Sequence, residues 1–84
     1  MSVKVLYFAG LREAVGQPSE QFALPVGVGS VSQLHARLAA RGGTWEALAT
    51  TKNLRIAVNQ RMAAMDAPIR DGDEVAFFPP VTGG

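Results

Sequence analysis

Near the end of this 84-residue chain stands Glu74-Val75-Ala76-Phe77-Phe78-Pro79-Pro80. This stretch predicts a strand that ends at a proline pair. The turn sequence Asp71-Gly72 comes just before it. A proline pair cannot continue a sheet ladder, because proline has a fixed φ and no backbone N–H. The chain must therefore leave the sheet after Phe78. We expect a domain over residues 1–78 and a flexible tail over residues 79–84.

Alternating apolar residues predict four further strands. The first runs from Val3 to Phe8, and the second from Ser19 to Leu24. A third strand covers Leu54 to Val58. Asn59-Gln60 is a predicted turn, and a short, weak strand follows near Arg61 to Met65.

One principal helix is predicted to begin at the N-cap Ser30 and to stop at Gly42-Gly43. Its narrow apolar stripe follows helical spacing through Val31, Leu34, Leu38 and Arg41. We expect His35 to flank this stripe. Trp45, which follows the helix, is expected to pack as a lid over the edge of the core.

These elements together predict an α+β fold, the β-grasp (ubiquitin-like) roll. It consists of a mixed four- to five-stranded sheet with the one main helix packed on one face. If the first and last strands are central neighbours, the helix side of the sheet carries Val3, Val5, Tyr7, Val75 and Phe77. The other face then collects Leu6, Phe8, Ala76 and Phe78. Nothing in the chain is left to cover that face, so we predict an exposed apolar patch there.

The composition excludes several kinds of site. With no cysteine and one histidine, the chain is expected to form no disulfide, thiol nucleophile, catalytic triad or metal centre. A net charge of +1 with scattered basic residues predicts no nucleic-acid partner. Without a long apolar run or a secretion signal, we expect no membrane partner and a cytoplasmic location. The acidic residues Asp71, Asp73 and Glu74 are interpreted as solvated turn residues, with partner recognition as a second interpretation.

The tail, Pro79-Pro80-Val81-Thr82-Gly83-Gly84, ends in two residues that have no side chain. A glycine pair costs conformational entropy and adds no packing, so stability does not explain it. Such a pair can pass through a channel too narrow for a Cβ and bring a carboxylate to an enclosed site. The alternative is that the glycines merely end the chain.

A family resemblance is carried by residues 71–84, Asp-Gly-Asp-Glu-Val-Ala-Phe-Phe-Pro-Pro-Val-Thr-Gly-Gly. This stretch closely resembles the C-terminus of the small subunits of molybdopterin synthase. Val58-Asn59-Gln60 resembles that family's turn, and residues 5–13, Val-Leu-Tyr-Phe-Ala-Gly-Leu-Arg-Glu, resemble its first strand and loop. Residues 17–53 are generic.

The resemblance implies a sulfur carrier that is not itself an enzyme. In this family an E1-like adenylating enzyme uses ATP and magnesium to activate the carboxylate of the terminal glycine, here Gly84. A sulfurtransferase or other persulfide donor then converts it to a thiocarboxylate. The tail enters the large catalytic subunit, where the sulfur passes to a cyclic pterin precursor and forms the dithiolene of molybdopterin. The carrier itself is expected to bind no cofactor, and the family implies a heterotetramer of two small and two large subunits.

The resemblance also implies which residues meet the large subunit. It places that interface on Phe8, Met62 and Phe78, next to the emerging tail, with Arg12 in a rim ion pair. From its position alone, Met62 fits an ordinary core site equally well.

Three alternatives remain open on the residues alone. Carriers for thiamine or tRNA thiolation share the glycine pair but lack the Phe-Phe-Pro-Pro-Val-Thr approach of residues 77–82. A ubiquitin-like modifier of lysines begins with the same acyl-adenylate. A plain interaction module would have an inert tail.

Overall fold

Residues 1–80 are described by a computed structural model, in which a mixed five-stranded sheet packs against helices. The elements in chain order are β1 (Ser2–Tyr7), α1 (Ala9–Val15), β2 (Ser19–Ala23), α2 (Val31–Ala39), α3 (Ala47–Thr50), β3 (Arg55–Val58), β4 (Arg61–Ala63) and β5 (Glu74–Phe78), with a 3₁₀ turn over Gly43–Glu46 before α3. This is the predicted α+β arrangement, although β4 is shorter than expected. The predicted tail residues Val81, Thr82, Gly83 and Gly84 lie outside the described residues.

The first and last strands are neighbours at the centre of the sheet. The strand order is β2-β1-β5-β3-β4, in which β1 and β5 run parallel and the other pairs run antiparallel. Val5 lies opposite Val75, and Tyr7 lies opposite Phe77. The predicted placement of these two strands is therefore confirmed.

The core lies between α2 and one face of this sheet. Side chains from the two central strands and from α2 are fully buried, namely Val3, Val5, Val31, Leu34, Leu38, Val75 and Phe77. Leu11 of α1 and Leu48 of α3 close the ends of this core. Burying each of the larger side chains contributes about 1.5–3 kcal/mol, which makes this layer the main source of stability.

The ends of α2 are set by local hydrogen bonds. At the N-cap, the Gln33 N–H donates to the Ser30 Oγ over 3.3 Å, while the Gln33 Oε1 accepts from the Gly29 N–H at 2.8 Å. These bonds satisfy donors that have no partner within the helix. The helix ends at Ala39, so the stop predicted at Gly42-Gly43 is wrong by a few residues. Both glycines have positive φ and instead direct the chain into the 3₁₀ turn.

Arg41 does not belong to the apolar stripe, because the helix ends before it. Its guanidinium instead holds both carboxylate oxygens of Glu20 on β2, at 2.7 and 3.0 Å. The Tyr7 hydroxyl donates to the same Glu20 carboxylate at 2.7 Å. The guanidinium also lies 4.3 Å from the centroid of the Trp45 ring and 5.6 Å from that of Phe22. This network ties the end of α2 to the edge strand β2.

The aromatic side chains of the core also show how Trp45 and His35 pack. Trp45 packs edge-on against Tyr7, with ring centroids 5.4 Å apart, so its predicted role as a lid is confirmed. His35 does more than flank the helix stripe. Its Nε2 donates to the Leu48 carbonyl at 2.7 Å and its ring lies 6.1 Å from Phe77, so it joins α2 to α3.

Among residues 1–80, no helix combines the length and the apolar character that crossing a bilayer requires.

Leu38→Ala should lower the free energy of unfolding by about 2–4 kcal/mol, because it leaves a cavity between α2 and the sheet. Val26→Ala is the matched control, since Val26 is fully exposed and its change should stay within about 0.5 kcal/mol. Urea denaturation followed by circular dichroism measures both. A loss for Leu38→Ala as small as that of the control would contradict the packing described here.

The Glu20 network predicts a pH-dependent stability. Burial raises the pKa of Glu20, but the hydrogen bonds from Arg41 and Tyr7 outweigh burial and hold that pKa below its ordinary value. Glu20→Gln should therefore lower the free energy of unfolding at neutral pH, by roughly 1–3 kcal/mol. A depressed carboxyl pKa stabilises the fold above the unfolded-state pKa of 4.5, and this contribution is lost as the pH falls through the folded-state pKa.

The difference in the free energy of unfolding between the wild type and Glu20→Gln should thus narrow in urea titrations as the pH falls from neutral through 4.5 toward the lower folded-state pKa. Glu46→Gln removes a carboxylate at an exposed position, so its free energy of unfolding should differ little from that of the wild type at every pH. If the free energies of unfolding of the wild type and of Glu20→Gln differed by the same amount at every pH, the assigned network would be contradicted.

Candidate functional site

The sheet face opposite α2 carries a group of apolar side chains that we name the outer patch. Strand register places on it Leu6, Phe8, Ala57, Met62, Ala76 and Phe78. These residues alternate with the buried residues of the same strands, so they point away from the core. Among the described residues, no helix covers this face.

The predicted residues Phe8 and Phe78 meet at one end of the outer patch. Their rings pack edge to face, with centroids 6.4 Å apart and an interplanar angle of 85°. They come together because β1 and β5 are parallel, so both strands end at the same edge of the sheet. Phe8 is 47% exposed even in this pair, and Phe78 is half-buried. The pair therefore offers apolar surface directly beside the start of the tail.

Met62 lies at the far side of the same face, on the edge strand β4. It is 62% exposed, so the core interpretation of this residue is wrong. Ala57 lies opposite both Met62 and Ala76, and these two alanines separate Met62 from the phenylalanine pair. Ala76 is only 7% exposed, contrary to the expectation of an uncovered face, because its small side chain lies opposite the larger Leu6. The two alanines thus leave a shallow depression in the outer patch between Met62 and the phenylalanine pair.

Arg12 lies beside the phenylalanine pair, on the helix that follows Phe8. Its backbone N–H is within 3.4 Å of the Phe8 carbonyl in the first turn of α1, and Leu11 anchors this helix in the core. The Arg12 side chain is exposed and forms no salt bridge within residues 1–80. The rim ion pair expected for Arg12 stays a prediction.

The tail begins beside a recess that the sequence did not reveal. Pro79 and Pro80 follow β5 and are half-buried. Pro80 borders an open recess of about 300 Å³ whose other walls are Asn53, Leu54 and Arg55. Arg55 lies opposite Phe78 in the β3–β5 ladder. This register, which joins distant parts of the chain, places Arg55 beside the start of the tail.

The acidic residues before β5 have structural partners. The Asp71 carboxylate accepts from the Ser2 N–H at 2.8 Å, and the Asp73 carboxylate accepts from the Arg70 N–H at 2.9 Å and the Asn59 side chain at 3.0 Å. Within residues 1–80, no three His, Cys, Asp or Glu residues are grouped as metal ligands would be. These carboxylates therefore join β1, β5 and the β3–β4 turn.

The predicted turn at Asn59-Gln60 is confirmed. Both residues have positive φ, 51° and 67°, as a two-residue hairpin turn requires. The Asn59 side-chain oxygen accepts from the Glu74 N–H at 3.0 Å, and the Asn59 N–H donates to the Glu74 carbonyl at 2.8 Å. The turn thus holds the start of β5 in place.

Comparison with known proteins identifies the family. The ThiS family matches residues 5–84. The chain belongs to the ThiS family. Within known proteins of this kind, the molybdopterin synthase sulfur carrier subunit of Escherichia coli (strain K12) is 44% identical over 98% of this chain and 99% of its own length. The corresponding Haemophilus influenzae subunit is 35% identical, with the same coverage. The predicted family resemblance is confirmed.

Solved structures confirm the β-grasp fold. Molybdopterin converting factor subunit 1 from Pyrococcus furiosus has a TM-score of 0.80 and 33% identity, covering 96% of this chain and 99% of its own. SAMP1 from Haloferax volcanii has a TM-score of 0.79 and 26% identity, with both chains fully covered. A complex of subunits 1 and 2 of the Helicobacter pylori molybdopterin-converting factor contains a chain with a TM-score of 0.68 and 26% identity, again with full coverage.

Proposed function

We propose that this chain is the sulfur-carrier subunit of a molybdopterin synthase. The full-length similarity to the Escherichia coli carrier is the observation that supports this most strongly. The layout of the site agrees with it, since the tail begins at the phenylalanine pair of an uncovered apolar face. A carrier needs these two features side by side, one to bind the acceptor protein and one to deliver sulfur into it.

The sulfur is attached at Gly84 in this proposal. The Gly84 carboxylate attacks the α-phosphorus of ATP in an E1-like enzyme that also holds magnesium, and pyrophosphate leaves. A persulfide donor then displaces AMP, and reduction of the resulting acyl disulfide by a thiol releases the thiocarboxylate. The activation is needed because a carboxylate is a poor electrophile until it has a leaving group. The chain has no cysteine that could hold a persulfide itself.

The acceptor of this sulfur is a cyclic pterin precursor bound by the large subunit, which supplies the catalytic residues. The outer patch binds the large subunit through Phe8, Phe78 and Met62, and Arg12 pairs with an acidic residue at the rim. Apolar contacts supply most of the affinity in such an interface, whereas a rim ion pair mainly affects the association rate. The tail residues from Pro79 to Gly83 then extend into the large subunit, and a heterotetramer of two chains of each kind is expected.

A protein-modifier function is the second candidate, because SAMP1, whose name denotes a small archaeal modifier protein, has nearly the same fold. Both functions begin with the same acyl-adenylate, so activation assays do not separate them. Intact-mass measurement on protein from the native cell does. Replacement of one oxygen by sulfur supports the carrier, attachment to lysines of other proteins supports the modifier, and an unchanged chain contradicts both.

Phe8→Asp should weaken binding to the large subunit at least about 30-fold, the loss expected of a residue central to an interface. A carboxylate without a partner would be buried at the contact, at a high desolvation cost. The melting temperature should hardly change, because Phe8 lies outside the core. Calorimetric titration with the purified large subunit measures the affinity.

Val26→Asp is the matched control for this substitution. Val26 is fully exposed in the loop after β2, beside Met1 and therefore at the other end of β1 from Phe8. Its substitution should leave the affinity unchanged. Equal affinities for the Phe8→Asp and Val26→Asp variants would place the interface elsewhere.

Addition of one alanine after Gly84 should abolish thiocarboxylate formation while leaving the fold intact. The carboxylate would be displaced by about 3.5 Å, and errors of about 1 Å already cost large rate factors. Gly83→Val should fail as well, because a branched side chain would obstruct a channel shaped for glycine. ATP–pyrophosphate exchange with the purified activating enzyme, followed by intact mass, measures both steps. Normal thiolation of the extended chain, without trimming, would contradict the role of Gly84.

A further inference from the structure

We infer that Arg55, together with the recess beside Pro80, receives a carboxylate side chain of the large subunit that takes up the tail. This inference rests on the proposed function and adds one recognition element to it. The element lies on β3, on the opposite side of the phenylalanine pair from Arg12. Sequence reasoning assigned no role to Arg55.

Strand register puts Arg55 at the edge of the outer patch. It lies opposite Phe78 across the β3–β5 ladder, where facing Cβ atoms are about 5 Å apart. The next residue, Ile56, is buried on the α2 side, so Arg55 belongs to the outer face. Phe8, Phe78 and Arg55 therefore form one row across the end of the sheet from which the tail departs.

The charge of Arg55 has no counter-ion within residues 1–80. The salt bridge found in this part of the chain joins Arg41 to Glu20, on the other side of the sheet. The Arg55 side chain is exposed, and its guanidinium does not stack on Phe78 in the way that Arg41 stacks on Trp45. The opposite charges of Lys4 and Glu74 face each other at the far end of the outer face. The end near the tail thus carries positive charge from Arg12 and Arg55.

The recess has the chemistry of a carboxylate site. The guanidinium of Arg55 can bind a carboxylate through two parallel hydrogen bonds, and the Asn53 side chain adds a neutral donor. Leu54 and Pro80 form apolar walls beside these donors. One guanidinium balances one carboxylate, whereas a phosphate dianion would remain half-neutralised. An acidic side chain that lies along the tail therefore fits this recess better than a nucleotide phosphate.

The test compares Arg55→Glu with Arg61→Glu, two substitutions that change the net charge equally. Arg61 pairs with Val58 at the opposite end of β3 and therefore lies far from the tail. The rate constant for association with the large subunit is measured by stopped flow at about 50 mM and about 500 mM NaCl. We expect Arg55→Glu to slow association about tenfold at low salt and much less at high salt. Arg61→Glu should change the rate less than twofold.

A charge exchange identifies the group that Arg55 binds. Acidic residues around the tail channel of the large subunit are changed singly to lysine, and one of these changes should restore fast association to Arg55→Glu while slowing the wild type. Failure of every exchange, or equal rates for Arg55→Glu and Arg61→Glu, would overturn the inference. So would inorganic phosphate that slows the wild type at constant ionic strength but does not slow Arg55→Ala.

These outcomes remain separate from those of the proposed function. If the wild-type chain does not bind the large subunit at all, the proposed function fails and the inference fails with it. If the wild type binds and is thiolated normally while Arg55→Glu associates as fast as the control, the carrier function stands and only the role of Arg55 is lost.

Discussion

The parallel pairing of β1 with β5 at the centre of the sheet is the constraint on which the other features depend. Because the two strands run in the same direction, Phe8 and Phe78 reach the same edge, and the tail starts beside them. A slip of one residue would turn the buried face of either strand outward. The full burial of Val5 and Val75 opposes such a slip, so the core sets the geometry of the site.

The two faces of the sheet contribute differently to stability. The α2 side contains the buried apolar layer, and polar contacts outside that layer hold the strand ends: Glu20 with Arg41 at β2, and Asp73 with Asn59 at the start of β5. The outer face adds little to the core, since Phe8 is 47% exposed and Met62 is 62% exposed. A domain this small has a small free energy of unfolding, so substitutions on the exposed outer face should threaten the fold less than substitutions in the core.

Strand alternation and turn chemistry made most of the fold predictable. They identified the central strands, the Asn59-Gln60 turn and the exposed phenylalanine pair, because those signals are local or depend on simple alternation. The errors arose where distant segments meet. Arg41 followed helical spacing in sequence, but its partner Glu20 is on another strand. Arg55 acquires its position only through the β3–β5 register, which no local pattern encodes.

The fold alone does not choose between carrier and modifier, since Pyrococcus furiosus converting factor subunit 1 and SAMP1 match it almost equally well. Both chemistries also share an acyl-adenylate, so the outcome depends on which nucleophile reaches it. A persulfide gives a carrier, and a lysine amine gives a modifier. That choice is made by the proteins that dock next to the tail. We propose that the groups that select them lie on the outer patch, with Arg12 and Arg55 beside it, where substitutions leave the core intact.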